Sequence, residues 1–227
     1  FSKKKNIQLN KLFPKNKIKK NFLINDVKPL LTAKENDLSF FDSIKYKEDL
    51  FKSKAGACLT TKKLEKVIPQ GIEAIIVDNV LYELAKALKK IYLFADVDFP
   101  DLSLKKPNKK DYKSVKFGNN VLIGEKVKIG KNSIIGSNTV IEKYVSVGQE
   151  CVIGSNIVIK NSLIGNNVVI QDGSKIGQKG FGFIPIKGKN IKFPHIGKVV
   201  IKNNVEIASN CTIDRGSVDD TVIGENT

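Results

Sequence analysis

An aliphatic residue recurs at every sixth position through the middle of the chain. The uninterrupted series is Ile123, Ile129, Ile135, Ile141, Val147, Ile153 and Ile159. This period does not suit an α-helix, because six residues advance about 600° and would scatter the aliphatic side chains around the cylinder. It does not suit a simple strand either, since the period of a strand is two. The pattern therefore predicts a repeat built on units of six residues.

Each unit of six reads as a very short strand followed by a bend. Val127 and Ile129 stand two apart, so they share one face of a strand, and the aliphatic residue is usually followed by Gly, as at Gly130. Asn often comes two places later, as at Asn132. Gly takes positive φ without strain and Asn tolerates it, so both predict a bend.

Repeats of this kind predict a parallel β-helix, in which three units make one triangular coil and coils stack about 4.8 Å apart. The alternative, a run of ordinary hairpins, is disfavoured because the period persists from about residue 121 to 177 with one slip near Asn161. The period then resumes at Ile201, Ile207 and Ile213.

The first half of the chain has a different pattern, typical of a small mixed α/β domain. The runs "DLSFF", "AGACLTT" and "EAIIVDN" predict strands, and the last predicts a buried one. A helix follows with Asp78 or Asn79 as its N-cap. We therefore divide the chain into a basic N-terminal segment (1–21), an α/β domain (22–103), a polar linker (104–116) and the β-helix (117–227).

Two segments of the β-helix leave the period. Residues 178–198 form a long excursion, and long loops on a rigid scaffold commonly carry function. From Ile213 to Ile223 the chain uses ten residues instead of twelve. The notable residues of these two segments are Gly180, Phe181, Gly182, Phe183, His195, Asp214, Arg215, Asp219 and Asp220. His195 is the only histidine and Arg215 the only arginine of the chain.

Composition narrows the possible functions. The net charge of +16 comes almost entirely from lysine, whereas base reading and bidentate phosphate contacts favour arginine. This argues against nucleic-acid binding and leaves an acidic protein or a phosphate-bearing substrate as the partner of a basic surface. The three cysteines have no CxxC spacing, so we expect no metal site. A single histidine also disfavours a zinc β-helix enzyme of the carbonic-anhydrase type.

Nothing in the sequence predicts export or membrane insertion. No stretch approaches the about 20 apolar residues of a membrane span, and no apolar signal region follows the basic start. We therefore expect a cytoplasmic location. The absence of methionine and the ending at Thr227 in mid-unit lead us to expect a fragment, because a solenoid normally ends in a cap.

The combination of motifs resembles one family. "DLSFFDSIKYKEDLFKSKAGACLTT", "GFGF", "PHIGKVVI" and "VEIASNCTIDRGSVDDTVIG" together resemble the UDP-3-O-acylglucosamine N-acyltransferases of lipid A biosynthesis. The resemblance covers the chain from about residue 22. It implies a left-handed parallel β-helix preceded by a small α/β uridine-binding domain.

The resemblance also implies an activity and its partners. Such enzymes move a 3-hydroxyacyl chain from acyl carrier protein to the 2-amino group of UDP-3-O-acylglucosamine, and they work as homotrimers. The thioester of the carrier protein is a co-substrate, so no cofactor and no metal are expected. The implied location is cytoplasmic, with peripheral association with the inner membrane left open.

The family pattern places substrate-binding residues in the first domain. The family's uracil lies between two aromatic residues spaced six apart, with an asparagine midway. The matching positions here are Phe40 and Tyr46, with Ser43 midway. A serine hydroxyl donates and accepts but lacks the paired geometry of an amide, so the asparagine's role at Ser43 is open.

The catalytic base is the main departure from the family pattern. Amide formation needs a base for the amine proton, and the family uses a histidine in an "IAHN"-like segment beyond the "TIDRG" turn. We expect that residue beyond Thr227 and assign no catalytic residue in this chain, with His195 as a disfavoured alternative. Asp214 and Arg215 are expected to form a turn-stabilising pair near the site. Another nucleotide-sugar acyltransferase of the hexapeptide-repeat type, or a non-enzymatic basic solenoid, remain the alternatives.

Overall fold

The computed structural model describes residues 4–227, which divide into two units with separate cores. The first, which we call the α/β unit, contains residues up to Asp96 together with 182–194. The second, the β-helix unit, contains residues 97–181 and 195–227. The residues of the long excursion are thus shared between the two units.

A four-stranded parallel sheet with strand order β1-β2-β3-β4 forms the centre of the α/β unit. The predicted strands and the predicted helix are confirmed. Asn79 is the N-cap, with its side chain accepting a hydrogen bond from the N–H of Tyr82 at 2.9 Å. The elements are α1 (Leu9–Leu12), β1 (Asp26–Val27), β2 (Asp37–Phe41), a 3₁₀ turn (Ile44–Tyr46), α2 (Lys47–Lys52), β3 (Ala57–Thr60), a second 3₁₀ turn (Glu65–Val67), β4 (Glu73–Ile76) and α3 (Val80–Ile91).

The basic segment at the start of the chain also contributes to the core of this unit. Leu9, Leu12 and Phe13 are buried there. The backbone N–H of Leu9 donates to the carbonyl of Phe22, and Lys11 and Lys15 remain exposed. The few apolar residues of the segment therefore pack inward while its lysines stay in solvent.

Three five-stranded parallel sheets form the β-helix unit, as the period of six predicts. Their strand orders are β21-β18-β13-β10-β7, β19-β14-β11-β8-β5 and β20-β15-β12-β9-β6. Every third strand belongs to the same sheet until the excursion, so three units make one coil. The strands are β5 (Lys116–Phe117), β6 (Leu122–Ile123), β7 (Lys128–Ile129), β8 (Ile134–Ile135), β9 (Val140–Ile141), β10 (Ser146–Val147), β11 (Val152–Ile153), β12 (Val158–Ile159), β13 (Ser162–Ile164), β14 (Val169–Ile170), β15 (Lys175–Lys179), β16 (Phe183–Ile186), β17 (Lys189–Lys192), β18 (Val199–Ile201), β19 (Glu206–Ile207), β20 (Thr212–Arg215) and β21 (Thr221–Ile223).

Aliphatic side chains fill the interior of this left-handed β-helix. Val147 pairs with Ile129 in the preceding coil and with Ile164 in the following one. The second step is one residue shorter, so the slip near Asn161 is absorbed at a corner, and Ile164 still points inward with 5% exposure. The hydrophobic core therefore continues through the slip.

The bends use Asn and Gly for different reasons. The left-handed conformation is taken by the residue three places after the inward aliphatic, as at Asn132 with φ of 61° and Asn138 with φ of 58°. The glycine between them is not in this region. A Cβ on Gly136 would lie 2.5 Å from the carbonyl carbon of Gly154 in the next coil. The sequence-based explanation of this glycine by positive φ is therefore wrong, and close stacking of coils explains it.

The long excursion contains a regular element that the sequence did not predict. Strands β16 and β17 pair antiparallel, with Ile184 opposite Ile191. Lys187 and Gly188 form the two-residue connection, and Gly188 has φ of 83°, as tight hairpin turns require. This hairpin belongs to the α/β unit.

Candidate functional site

The excursion leaves the β-helix at a bulge in β15. The pairing of β15 with β20 shifts between Ile176 and Gln178. Gly177 lies at this point with φ of 80°, and a Cβ there would approach the carbonyl oxygen of Lys160 to 1.6 Å. Only glycine fits this backbone, so the start of the excursion is fixed by the local geometry.

The two segments that leave the period meet where the excursion returns. The N–H of Ile196 donates to the carbonyl of Ser217 at 2.7 Å. Lys198 contacts Asp220 twice, through its backbone N–H at 3.0 Å and through its Nζ at 2.6 Å. The short turn after β20 therefore anchors the residues at which the excursion rejoins the β-helix, Ile196 and Lys198.

Arg215 lies where these segments converge, and it is 6% exposed. Its Nε donates to the carbonyl of His195 at 3.2 Å, and its Nη1 donates to the carbonyl of Gly177 at 3.3 Å. The same Nη1 lies 2.9 Å from Oδ1 of Asp98. The predicted ion pair of Arg215 with Asp214 is wrong, because the guanidinium turns inward to Asp98.

Asp98 is a residue of this site that sequence reasoning missed. Its Oδ2 accepts a hydrogen bond from the N–H of Lys179 at 3.1 Å and lies 3.6 Å from Nζ of Lys160. Burial alone would raise the pKa of Asp98, but the hydrogen bond and charge of Arg215, then the charge of Lys160 and the N–H of Lys179, hold it below its usual range. Asp98 is 117 positions from Arg215, and no local pattern signals such a contact.

A second carboxylate extends this group of charges. Oε1 of Glu142 lies 3.1 Å from Nζ of Lys160, whose side chain is 10% exposed. Burial raises the pKa of Glu142, and the hydrogen bond and charge of Lys160 offset this only in part. Lys160 thus lies between the carboxylates of Asp98 and Glu142, in the coil that precedes the excursion.

The structure brings together three of the predicted residues beside this group. A Cβ on Gly180 would lie 3.0 Å from Nε2 of His195 and 3.7 Å from Cβ of Asp214. His195 is 8% exposed, so its imidazole packs against the backbone at Gly180. Phe181, the next residue, is 94% exposed.

The other two members of the "GFGF" motif belong to the hairpin. The carbonyl of Gly182 accepts a hydrogen bond from the N–H of Phe193 at 2.9 Å. Phe183 begins β16 and is 40% exposed. The motif therefore marks the point where the chain passes from the β-helix unit to the hairpin.

The predicted uracil-binding residues follow the second strand of the α/β unit. Phe40 lies near the end of β2 and is half-buried, and Tyr46 ends the first 3₁₀ turn with 49% exposure. Ser43 is the N-cap of that turn, and its hydroxyl accepts from the N–H of Lys45 at 3.4 Å. The hydroxyl keeps its proton for a further acceptor. Their binding of uracil stays a prediction.

A cleft of about 330 Å³ in the α/β unit contains none of these three residues. Its lining comes from the segment 12–16, the β4–α3 connection at 76–79, and α3. Lys15, Lys86 and Lys90 line it, but Lys86 is already paired with Glu83 at 2.9 Å. The cleft therefore neither supports nor contradicts the predicted uracil-binding residues.

The cysteines and the charged residues offer no other reactive centre. Burial raises the pKa of the Cys58 thiol to about 12 and also raises that of Cys151, so both behave as core residues. Within residues 4–227, no three side chains of His, Cys, Asp or Glu are grouped to hold a metal ion. No helix in this range has the length and apolarity to span a membrane.

Comparison with protein families matches both parts of the chain. Residues 21–90 match the family described as UDP-3-O-(3-hydroxymyristoyl) glucosamine N-acyltransferase. Residues 113–143 match the bacterial transferase hexapeptide repeat. The first match contains Phe40, Ser43 and Tyr46. Relatives named UDP-3-O-acylglucosamine N-acyltransferase align with about 90% of the chain.

Over most of its length this chain is similar to proteins named UDP-3-O-acylglucosamine N-acyltransferase. Relatives with this name from Helicobacter pylori and Helicobacter hepaticus are 40% and 42% identical over 90% and 92% of this chain. One from Bradyrhizobium is 38% identical over 84% of it. The chain covers 60%, 62% and 56% of these three relatives, respectively, so it spans less than two thirds of each relative.

Among solved structures, one match is an N-acyltransferase from Bacillus cereus in complex with dTDP and coenzyme A. The identity is 22% and the TM-score 0.25, with 55% of this chain and 74% of that one covered. This similarity is too weak to add to the argument. The similarity to N-acyltransferases rests on the relatives and on the match of residues 21–90.

Proposed function

We propose that this chain forms part of an N-acyltransferase of lipid A biosynthesis, which moves a 3-hydroxyacyl chain from acyl carrier protein to the 2-amino group of UDP-3-O-acylglucosamine. The observation that carries the proposal is the match of residues 21–90 to that family in a chain that continues into a β-helix with a "TIDRG" turn. Eight relatives of this name are 33% to 42% identical to the chain.

The reaction sets requirements that this part of the protein meets only partly. The amine nitrogen attacks the thioester carbonyl carbon, the C–N bond forms, the C–S bond breaks, and a base takes the proton of the amine. His195 does not suit this role, because its ring packs on Gly180 and its carbonyl binds Arg215. In this proposal the base therefore lies outside the 227 residues.

Within these residues, the function we propose is recognition of the nucleotide. Phe40 and Tyr46 lie at opposite ends of a seven-residue segment, and both side chains are partly accessible. Stacking of a base on an aromatic ring contributes about 1–3 kcal/mol. The hydroxyl of Ser43 supplies one polar contact to the uracil edge where the family uses an amide.

The partners follow from the same proposal. The positive net charge of the chain suits an acidic carrier protein and a diphosphate. The thioester provides the activated acyl group, so we propose no further cofactor and no metal. We also propose a homotrimer, supported by outward-facing aliphatic residues on one sheet of the β-helix, and a cytoplasmic location.

Titration with UDP-N-acetylglucosamine tests the uridine site. We expect Tyr46→Ala to weaken binding by about tenfold or more, because one stacking surface is lost. Tyr82→Ala is the matched control, since Tyr82 lies on α3 of the same unit, where its ring contacts Lys86. Isothermal titration calorimetry should show the control binding like the unsubstituted chain. Equal binding by both variants would refute the uracil site.

A further inference from the structure

We propose that Asp98 is a positioning residue, which acts through Arg215 to hold together the two ends of the excursion 178–198. We call these two ends, residues 178–181 and 195–197, the root of the excursion. Asp98 and Arg215 form a clamp in which Asp98 orients the guanidinium, and the guanidinium joins the two ends of the excursion. The relevance of the clamp to substrate binding rests on the proposed function, but its existence does not.

Arg215 joins the departing and the returning chain. Gly177, at the departure, offers its carbonyl to Nη1 at 3.3 Å, and His195, at the return, offers its carbonyl to Nε at 3.2 Å. These two carbonyls belong to residues 18 positions apart in sequence. A planar guanidinium holds several acceptors in one fixed arrangement, whereas a lysine ammonium reaches them poorly.

Asp98 supplies what this buried guanidinium needs. A charged group that is 6% exposed requires a counter-charge, and Oδ1 of Asp98 provides it at 2.9 Å. The other oxygen of Asp98 accepts from the N–H of Lys179 at 3.1 Å. One carboxylate therefore binds both the arginine and the first residues of the excursion.

The segment that carries Asp98 has a second anchor, which does not touch the excursion. Oδ2 of Asp101 accepts from the N–H of Lys143 at 2.7 Å, and Oδ1 binds the hydroxyl of Ser103 at 2.7 Å. Asp101 is therefore a matched control, because it holds the same segment to the β-helix at another coil.

The clamp fixes only the root of the excursion. Phe181 directly follows the clamped residues in sequence and is 94% exposed. On the proposed function, Asp98 would thus set the position of the phenylalanine motif relative to the β-helix without contacting substrate itself.

Hydrogen exchange on the full 227-residue chain tests the clamp. For Asp98→Asn we expect amide protection at 178–181 and 195–197 to fall by at least about tenfold, because the arginine loses its counter-charge. Arg215→Lys should give a loss of the same order. Asp101→Asn should leave these amides unchanged, and protection at 146–153, where neither carboxylate binds an amide, should be equal in all variants. The proposal is overturned if Asp98→Asn keeps the protection, or if Asp101→Asn loses it equally.

The pH profile separates positioning by charge from simple packing. Arg215, Lys160 and the N–H of Lys179 face Asp98, and Glu142 faces it across Lys160; His195 and Asp214 lie nearby. Since the pKa of Asp98 is lowered, its contribution is present above the ordinary carboxyl value and is lost as the pH falls below about 4. Protection at the root, relative to 146–153, should fall in that range. In Asp98→Asn it should be low and independent of pH, and a parallel fall in this variant would contradict the clamp.

These outcomes are separable from those of the proposed function. Exchange needs no substrate, so it decides the clamp even if UDP-N-acetylglucosamine fails to bind. If the nucleotide binds and Asp98→Asn exchanges like the unsubstituted chain, the clamp alone is refuted.

Discussion

At the scale of single residues, the bends of the β-helix separate two constraints that look alike in sequence. Asn138 has φ of 58°, and its side-chain oxygen accepts from Nδ2 of Asn120 in the coil before it, at 3.2 Å. Gly136, two residues earlier, has no room for a Cβ because the backbone of Gly154 stacks on it. The sequence predicted a bend here but could not show which residue makes it, because stacking distance is a property of two coils.

This difference predicts an order of stabilities. Gly136→Ala should destabilise the chain by more than about 2 kcal/mol, because the coils must separate. Asn138→Ala should cost about 1–2 kcal/mol for a side chain in the left-handed region, and Asn138→Gly should be close to neutral. Urea denaturation measures all three. A smaller cost for Gly136→Ala than for Asn138→Ala would contradict the stacking explanation.

At the scale of elements, the hydrophobic pattern of the sequence predicted the strands and the helix, because local contacts determine them. The strand runs and the spacing of aliphatic residues on α3 survive in the structure because β3 is buried along its whole length and α3 buries one face. The hairpin β16–β17 was not predicted, although Lys187-Gly188 is a turn signal, because only Ile184 among its strand residues is buried and its strands therefore show no clear alternation. The Asp98–Arg215 contact was beyond prediction, since it joins residues 117 positions apart.

The N-cap of α3 gives a prediction at this scale. The sequence left Asp78 and Asn79 open, and the structure selects Asn79, whose side chain binds the N–H of Tyr82. Asn79→Ala should destabilise the α/β unit by about 1 kcal/mol, because one N–H of the first turn loses its partner. Asp78→Ala should have little effect. Thermal unfolding followed by far-UV circular dichroism compares them, and an equal loss in both would argue against this cap.

At the scale of the whole molecule, one sheet of the β-helix carries a column of outward-facing aliphatic residues. On the sheet of β5, β8, β11, β14 and β19, Ile134, Val152 and Val169 pair in register and point outward. Ile134 and Val152 are 43% and 44% exposed. A contiguous aliphatic column on a flat parallel sheet commonly marks an interface, and repeated copies of one chain meet through the same patches in a closed oligomer.

If this column is the contact between copies, charge placed on it should disrupt the proposed homotrimer. Val152→Lys is expected to shift the chain from trimer to monomer, because an interface core tolerates an unpaired ammonium poorly. Ser146→Lys is the matched control, since Ser146 points outward from a neighbouring sheet beside Lys128. Sedimentation velocity at several concentrations measures the assembly. A chain that is monomeric without substitution, or a trimer that persists in Val152→Lys, would show that this column does not mediate assembly.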